Sequence, residues 1–150
     1  MTFFNRTTSD ETDFRDLVAL LDEDLKKRDG DEHSFYAPFN TIENIRHAIV
    51  CYVDDKPIGC GAFKVYDTGI VEIKRMYVLP GYRGHGIGPG ILKELELWAS
   101  ELNFPSCILE TGKNNPEAIR LYQKAGYTII RNYGEYETVE SSVCMAKTIL

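Results

Sequence analysis

The stretch VEIKRMYVLPGYRGHGIGPGIL (residues 71–92) governs how the rest of the chain folds around it. Its first part, through Leu79, is rich in the β-branched and aromatic side chains that suit a pleated strand. Pro80 and Gly81 end that strand, and glycines recur at 84, 86, 88 and 90. From Ile87 the apolar residues return at helical spacing: Ile87, Ile91, Leu95, Trp98 and Leu102 predict a helix over 87–102. A strand that runs through a glycine loop into a helix start leaves backbone N–H groups and the positive helix end facing one small volume. Such a volume suits phosphate oxygens, and glycine keeps side chains out of the way.

Spacing excludes two familiar phosphate binders. The dinucleotide pattern G-x-G-x-x-G fails in both registers, because Gly84 and Gly86 put Pro89 third, and Gly86 and Gly88 put Ile91 there. A loop ending in Gly-Lys-Ser/Thr is absent as well. A nucleotide-dependent oxidoreductase therefore does not fit. The pattern that does fit is R-x-x-G-x-G, carried by Arg83, Gly86 and Gly88.

Upstream, Phe14, Leu17, Val18, Leu21 and Leu25 predict a helix over 11–28, acidic at its start and basic at its end as the helix dipole prefers. A turn-rich aromatic segment follows at 29–40, then a short helix at 41–48 with Thr41 as its cap. Strands at 49–54, 57–66 and 70–79, joined by short turns, form an antiparallel meander, with one more strand expected before residue 10. Downstream come a strand at 106–111 and a helix at 116–125 that Pro116 opens and Gly126 closes. Strands at 127–132 and 141–149 complete the chain. Residues 1–150 read as one domain, since no repeat or low-complexity tract interrupts them.

With NPEAIRLYQKAGY (115–127) after the next strand, EIKRMYV before the loop, and R-x-x-G-x-G within it, nearly the whole chain resembles the GNAT superfamily of N-acetyltransferases. Two matches stand apart from the commonest pattern: Pro89 in the first helical turn, where a missing N–H is tolerated, and Tyr127 where Phe is commoner. The resemblance implies an α/β (α+β) fold, a mixed and mostly antiparallel sheet of six or seven strands flanked by about four helices. The strand of 70–79 is then central, and that of 106–111 lies parallel beside it and splays away. It also implies transfer of an acetyl group from acetyl-CoA to a primary amine of a small molecule, peptide or protein. A non-catalytic module that binds or senses acyl-CoA on the same fold is the alternative.

The same resemblance distributes roles along the chain. Met76, Tyr77 and Val78 face the acetyl carbonyl and pantetheine arm with backbone groups. Arg83, Gly84, His85, Gly86, Ile87 and Gly88 hold the pyrophosphate, and Asn115 contacts the pantetheine region. Glu72 stands where such enzymes often keep a catalytic glutamate, with Glu110 on the next strand as the rival base, and Tyr122 is the proton donor to the departing thiolate. Simple alternation puts Glu72, Lys74, Met76 and Val78 on one face of the strand. The chemistry requires such groups: an alkylamine with pKa about 10.4 is protonated at neutral pH and needs a base, while the thiolate needs an acid. His33, Tyr36 and Phe39 are expected to shape the acceptor wall, and YGEY (133–136) its rim.

Bulk properties agree with a soluble enzyme. The net charge of -6 and the absence of a basic stripe argue against nucleic acid. No apolar run approaches a membrane span, and the polar start MTFFNRTTSDETD is no signal peptide, so a cytoplasmic protein is expected. Cys51, Cys60, Cys107 and Cys144 have no metal-ligand spacing and are expected as buried free thiols, with no metal. A monomer or homodimer is expected.

Overall fold

The computed structural model describes residues 1–29 and 45–150. Its strands are β1 (Thr2–Thr7), β2 (His47–Val53), β3 (Lys56–Asp67), β4 (Ile70–Val78), β5 (Ser106–Gly112), β6 (Thr128–Ile130) and β7 (Ser142–Thr148). The helices among the described residues are α1 (Thr12–Asp29), α2 (Ile87–Glu101) and α3 (Pro116–Lys124), three where about four were expected. The first half of the fourth expected helix, 41–44 of 41–48, lies outside the described residues, as do His33, Tyr36 and Phe39, and its second half is not helical: residues 45–46 are irregular. Its last two positions belong to β2, where His47 pairs with Phe63 and Ala48 with both Thr7 and Ala62.

All seven strands form one sheet in the order β1-β2-β3-β4-β5-β7-β6. Every pairing is antiparallel except β4 with β5, so the sheet is mixed and β4 is central, as expected. The parallel pairing lasts for three residue pairs, Ile70–Ser106, Val71–Cys107 and Glu72–Ile108, after which the two strands separate. That splay opens a cleft in the middle of the sheet.

Apolar side chains cover both faces. On one, Phe14, Leu17 and Val18 of α1 pack on Ala48, Val50, Cys60 and Ala62. On the other, Ile87, Ile91, Leu92 and Leu95 of α2 pack on Ile49, Ile58, Phe63, Val71, Ile73 and Leu109. Truncating a fully buried leucine such as Leu95 in such a layer costs about 2–5 kcal/mol. The expected α2 stripe ends early: Ala99 is buried, whereas Leu102, just past the helix, is exposed. β6 is shorter than 127–132 because the Asn132 side chain donates to the carbonyls of Val139 and Ser142 and so turns the chain out of the ladder. No helix among the described residues is long and apolar enough to cross a membrane.

One irregularity in β4 corrects the simple alternation. Cys60 pairs with Tyr77 and Ala62 with Lys74, so Gly61 alone opposes both Arg75 and Met76. This is a β-bulge, and Arg75 sits in it with φ +62°, a conformation costly to a side-chain-bearing residue. The Arg75 guanidinium donates to Asp22 of α1 at 2.9 Å, and its carbonyl accepts from the Cys60 thiol at 3.3 Å. The extra residue shifts the alternation by one. Lys74 shares the α1 face with its partner Ala62, and Glu72 lies on that face too, whereas Met76 and Val78 pack with the α2 cluster. Gly61 makes room for this, since a β-carbon there would come within 2.6 Å of the Met76 sulfur and 2.8 Å of Ile91.

Candidate active site

The cleft between β4 and β5 continues past the strand ends into a groove of about 590 Å³, lined by Met76, Tyr77, Val78, the loop residues Arg83, Gly84 and Gly86 to Pro89, and one face of α3. Gly84 and Gly86 take φ +79° and +80°, and a β-carbon at either would meet no atom within 4 Å. These two glycines therefore turn the chain in a way side chains resist and leave the space above their backbone open. Gly86 also caps α2, whose first turn has no acidic residue and no side-chain cap. No backbone N–H from residue 84 to 88 donates to another backbone carbonyl among the described residues. The nest fits an anion such as a pyrophosphate.

The other residues of the loop sort by position. Ile87, Gly88 and Pro89 form the first turn of α2, where the missing Pro89 N–H would have no helical acceptor. Arg83 folds back on the strand end, its Nε donating to the Val78 carbonyl at 2.7 Å and its guanidinium 5.4 Å from the centre of the Tyr77 ring. His85 is exposed, holds the Arg83 carbonyl at 2.9 Å through Nδ1, and is not part of the groove lining. Asn115 lines the groove while its side-chain oxygen caps α3 by accepting from the Ala118 N–H at 3.3 Å. Opposite, the end of α1 reaches across. Arg28 lies 3.4 Å from Glu117, and Asn114 donates to the Arg28 carbonyl at 2.5 Å.

Deeper in the cleft the groove meets a smaller cavity of about 130 Å³. Glu72, Lys74, Arg75, Glu110, Tyr122 and Tyr136 all line it, and Met76, Asn115 and Tyr122 line both spaces. The three sequence candidates for proton transfer thus share one cavity. Glu72 and Tyr122 approach it from opposite faces of the sheet, because Tyr122 belongs to the α2 cluster and Glu72 to the α1 face. They meet where β4 and β5 have parted.

Glu72 and Tyr122 are buried, and Glu110 is half-buried. Glu72 is 7% exposed. Its Oε2 accepts from the Tyr133 hydroxyl at 2.5 Å, and its Oε1 is 3.8 Å from the Lys74 ammonium. Glu110 accepts from Ser142 Oγ at 2.7 Å. Tyr122 is also 7% exposed, and burial first, then Glu110, pushes its phenol well above the usual range. It therefore keeps its proton at neutral pH. Burial lowers the Lys74 ammonium, against the opposing pull of Glu72.

The partners of these residues carry no local signal in the sequence. Tyr133 belongs by sequence only to a rim, and its contact with Glu72 spans 61 positions of the chain. The Ser142–Glu110 and Arg28–Glu117 contacts have no local pattern either. Arg75 did leave a trace: strict alternation puts it beside Val71 and Ile73 in the core, a conflict that the bulge resolves.

The sequence model described as the acetyltransferase (GNAT) family matches residues 14–127. The chain is 32% identical over 153 residues to an IAA acetyltransferase of Azospirillum brasilense, an alignment covering 97% of this chain and 99% of that protein. Among solved structures, a Klebsiella pneumoniae protein assigned as an acyl-CoA N-acyltransferase superposes with TM-score 0.84 at 27% identity, covering 100% of this chain and 99% of that one. The PaiA N-acetyltransferase of Thermoplasma acidophilum, solved with coenzyme A, shares the fold with TM-score 0.73 at 18% identity, over 99% of both chains. On its sequence match and its fold together, the chain belongs to the GNAT acetyltransferase family and is an N-acetyltransferase.

Proposed function

We propose that this enzyme moves an acetyl group from acetyl-CoA to a primary amine of a small molecule, a peptide or a protein, using the cleft between β4 and β5. The observation that carries the proposal is the continuity of two spaces. An anion nest of unused N–H groups at residues 84–88 opens into a groove, and the groove leads to a cavity lined by Glu72, Glu110 and Tyr122.

Residues 84–88 would hold the pyrophosphate through backbone N–H groups, with Arg83 bracing the turn from its bond to Val78. Met76 and Tyr77, just past the bulge, present backbone where the acyl group would lie, and Asn115 and Leu121 wall the arm of the coenzyme. The thioester supplies an activated acyl group. Glu72 takes a proton from the amine, directly or through water, so that the amine attacks as a neutral nucleophile. Tyr122 gives its proton to the thiolate as it leaves, a role for which the protonated phenol is the required form. Glu110 lines the same cavity and is the second choice of base. Residues 1–150 would act as one domain in a reducing compartment such as the cytoplasm, in keeping with four buried free cysteines.

The test is release of free thiol from acetyl-CoA in the presence of alkylamines, amino acids, aminoglycosides and peptides with free amino termini. Turnover with at least one class is expected, with the acetylated amine identified by mass. Tight coenzyme binding without turnover across all four classes would instead favour a sensing module.

A further inference from the structure

We propose that Tyr133 is a positioning residue for proton transfer, holding the Glu72 carboxylate fixed in rotation toward the acceptor. The proposal rests on Glu72 as the base. Tyr133 lies in the connection between β6 and β7, far from Glu72 in sequence, yet its hydroxyl donates to Oε2 at 2.5 Å. The ring is itself held. Tyr66 meets it edge-on at 5.1 Å and 74°, and Tyr136 does so at 5.9 Å and 89°. The backbone behind it is a single 3₁₀ turn, Gly134–Tyr136, closed by the Tyr136 N–H to the Tyr133 carbonyl at 2.9 Å. At Gly134 the chain passes so near Tyr66 that a β-carbon would come within 2.8 Å of its hydroxyl.

The terminal torsion of a glutamate is soft, so a buried carboxylate needs a partner to keep one orientation. Lys74 attracts Oε1 but stands at 3.8 Å, beyond hydrogen-bond length. The phenol is the group that fixes the angle, taking Oε2 and leaving Oε1 as the oxygen for an amine proton or a water. Burial disfavours the charged carboxylate, whereas a hydrogen bond to its charged form favours it. Burial and the neighbouring Glu72 push the Tyr133 phenol far up, so it remains a donor at every pH at which the enzyme would work. The other ionisable groups around Glu72 are Lys74 and Arg75 on β4, Lys64 and Tyr66 on β3, Glu110 on β5, Glu135 and Tyr136 in the turn, and Cys144 on β7.

Tyr133→Phe keeps the ring and its packing and removes only the donor. Two readouts test it. In the first, protein labelled with ¹³C at the glutamate carboxyl carbons is titrated by NMR, with Glu72→Gln identifying the Glu72 signal. The midpoint should rise by about one unit in Tyr133→Phe, the loss of one hydrogen bond to a charged group. In the second, kcat/KM is followed against pH with acetyl-CoA and the fastest amine of the panel. The acid limb should rise by the same amount, a roughly tenfold loss below it, while the dissociation constant of acetyl-CoA stays within twofold. A Glu72 signal and an acid limb that both stay put would overturn the role of Tyr133 while leaving Glu72 as base if Glu72→Gln removes that limb. A carboxyl signal that moves without the limb overturns Glu72 as the base, and the positioning role with it.

Discussion

Replacing Gly86 by valine separates the folding of the coenzyme loop from its binding. Gly86 has φ +80°, where a β-branched residue is strained by about 1–2 kcal/mol. A β-carbon there meets nothing within 4 Å, so no packing clash adds to the strain. For a chain of 150 residues that strain corresponds to a fall in Tm of roughly 2–8 °C. The new side chain would occupy the space above the N–H groups of the nest, and losing two charge-assisted hydrogen bonds to phosphate is worth about 3 kcal/mol or more. The dissociation constant of CoA should therefore rise by about 100-fold or more. Calorimetric titration with CoA and a thermal melt on the same sample give both numbers. A CoA affinity within threefold of wild type, alongside the expected fall in Tm, would show that the pyrophosphate lies elsewhere.

Three further outcomes are expected. Glu72→Gln should slow transfer by about 10²–10⁴-fold below the pKa of the amine and recover partly as pH rises, whereas Tyr122→Phe should stay slow at high pH; a loss under threefold in steady-state rate removes either residue from the mechanism. Arg28→Ala, which removes the contacts with Glu117 and the Asn114 carbonyl across the groove and the pair with Asp24, should leave stability little changed and speed CoA release several-fold in stopped flow; an unchanged release rate would show that Arg28 does not retain the ligand. Tyr122, Tyr127 and Tyr136 are buried with phenols raised by burial, so the folded state keeps protons that the unfolded state loses above pH 10. Stability should then be fully present below pH 10 and fall by about 1.4 kcal/mol per tyrosine per pH unit above it. Absorbance at 295 nm should show these tyrosines ionising together with the loss of circular dichroism; independent ionisation in a still-folded protein would contradict their burial.

The elements that depend on local pattern were legible in the sequence. The α1 stripe from Phe14 to Leu21 is buried as its spacing implies, and Pro116 and Gly126 bound α3 as first residue and left-handed terminator. The glycine loop was legible too, because backbone conformation there is dictated by residue type. Contacts that close across the sheet were not. Tyr133 reaches Glu72, and Ser142 reaches Glu110, only after strands distant in sequence have paired. The bulge defeated alternation because a single inserted residue leaves no mark in composition. Only the charge of Arg75 among apolar neighbours betrays it, and Asp22, which satisfies that charge, comes from a different element.

The bulge at Arg75 also divides β4 into two halves that, on the proposed function, answer to different ligands. Glu72 and Lys74 before it lie on the α1 face and line the smaller cavity, while Met76 and Val78 after it pack toward α2 and line the larger groove, with Met76 reaching both spaces. A strand without the bulge would tie these two sets to one face, so that any change made for a new amine would also disturb the donor. With the register broken between them, the acceptor half is free to diversify while the donor half stays constant. An engineer seeking a new acceptor would accordingly keep Glu72 and Tyr122, vary Lys74 and the other cavity neighbours before the bulge, and leave the positions of β4 beyond Arg75 untouched.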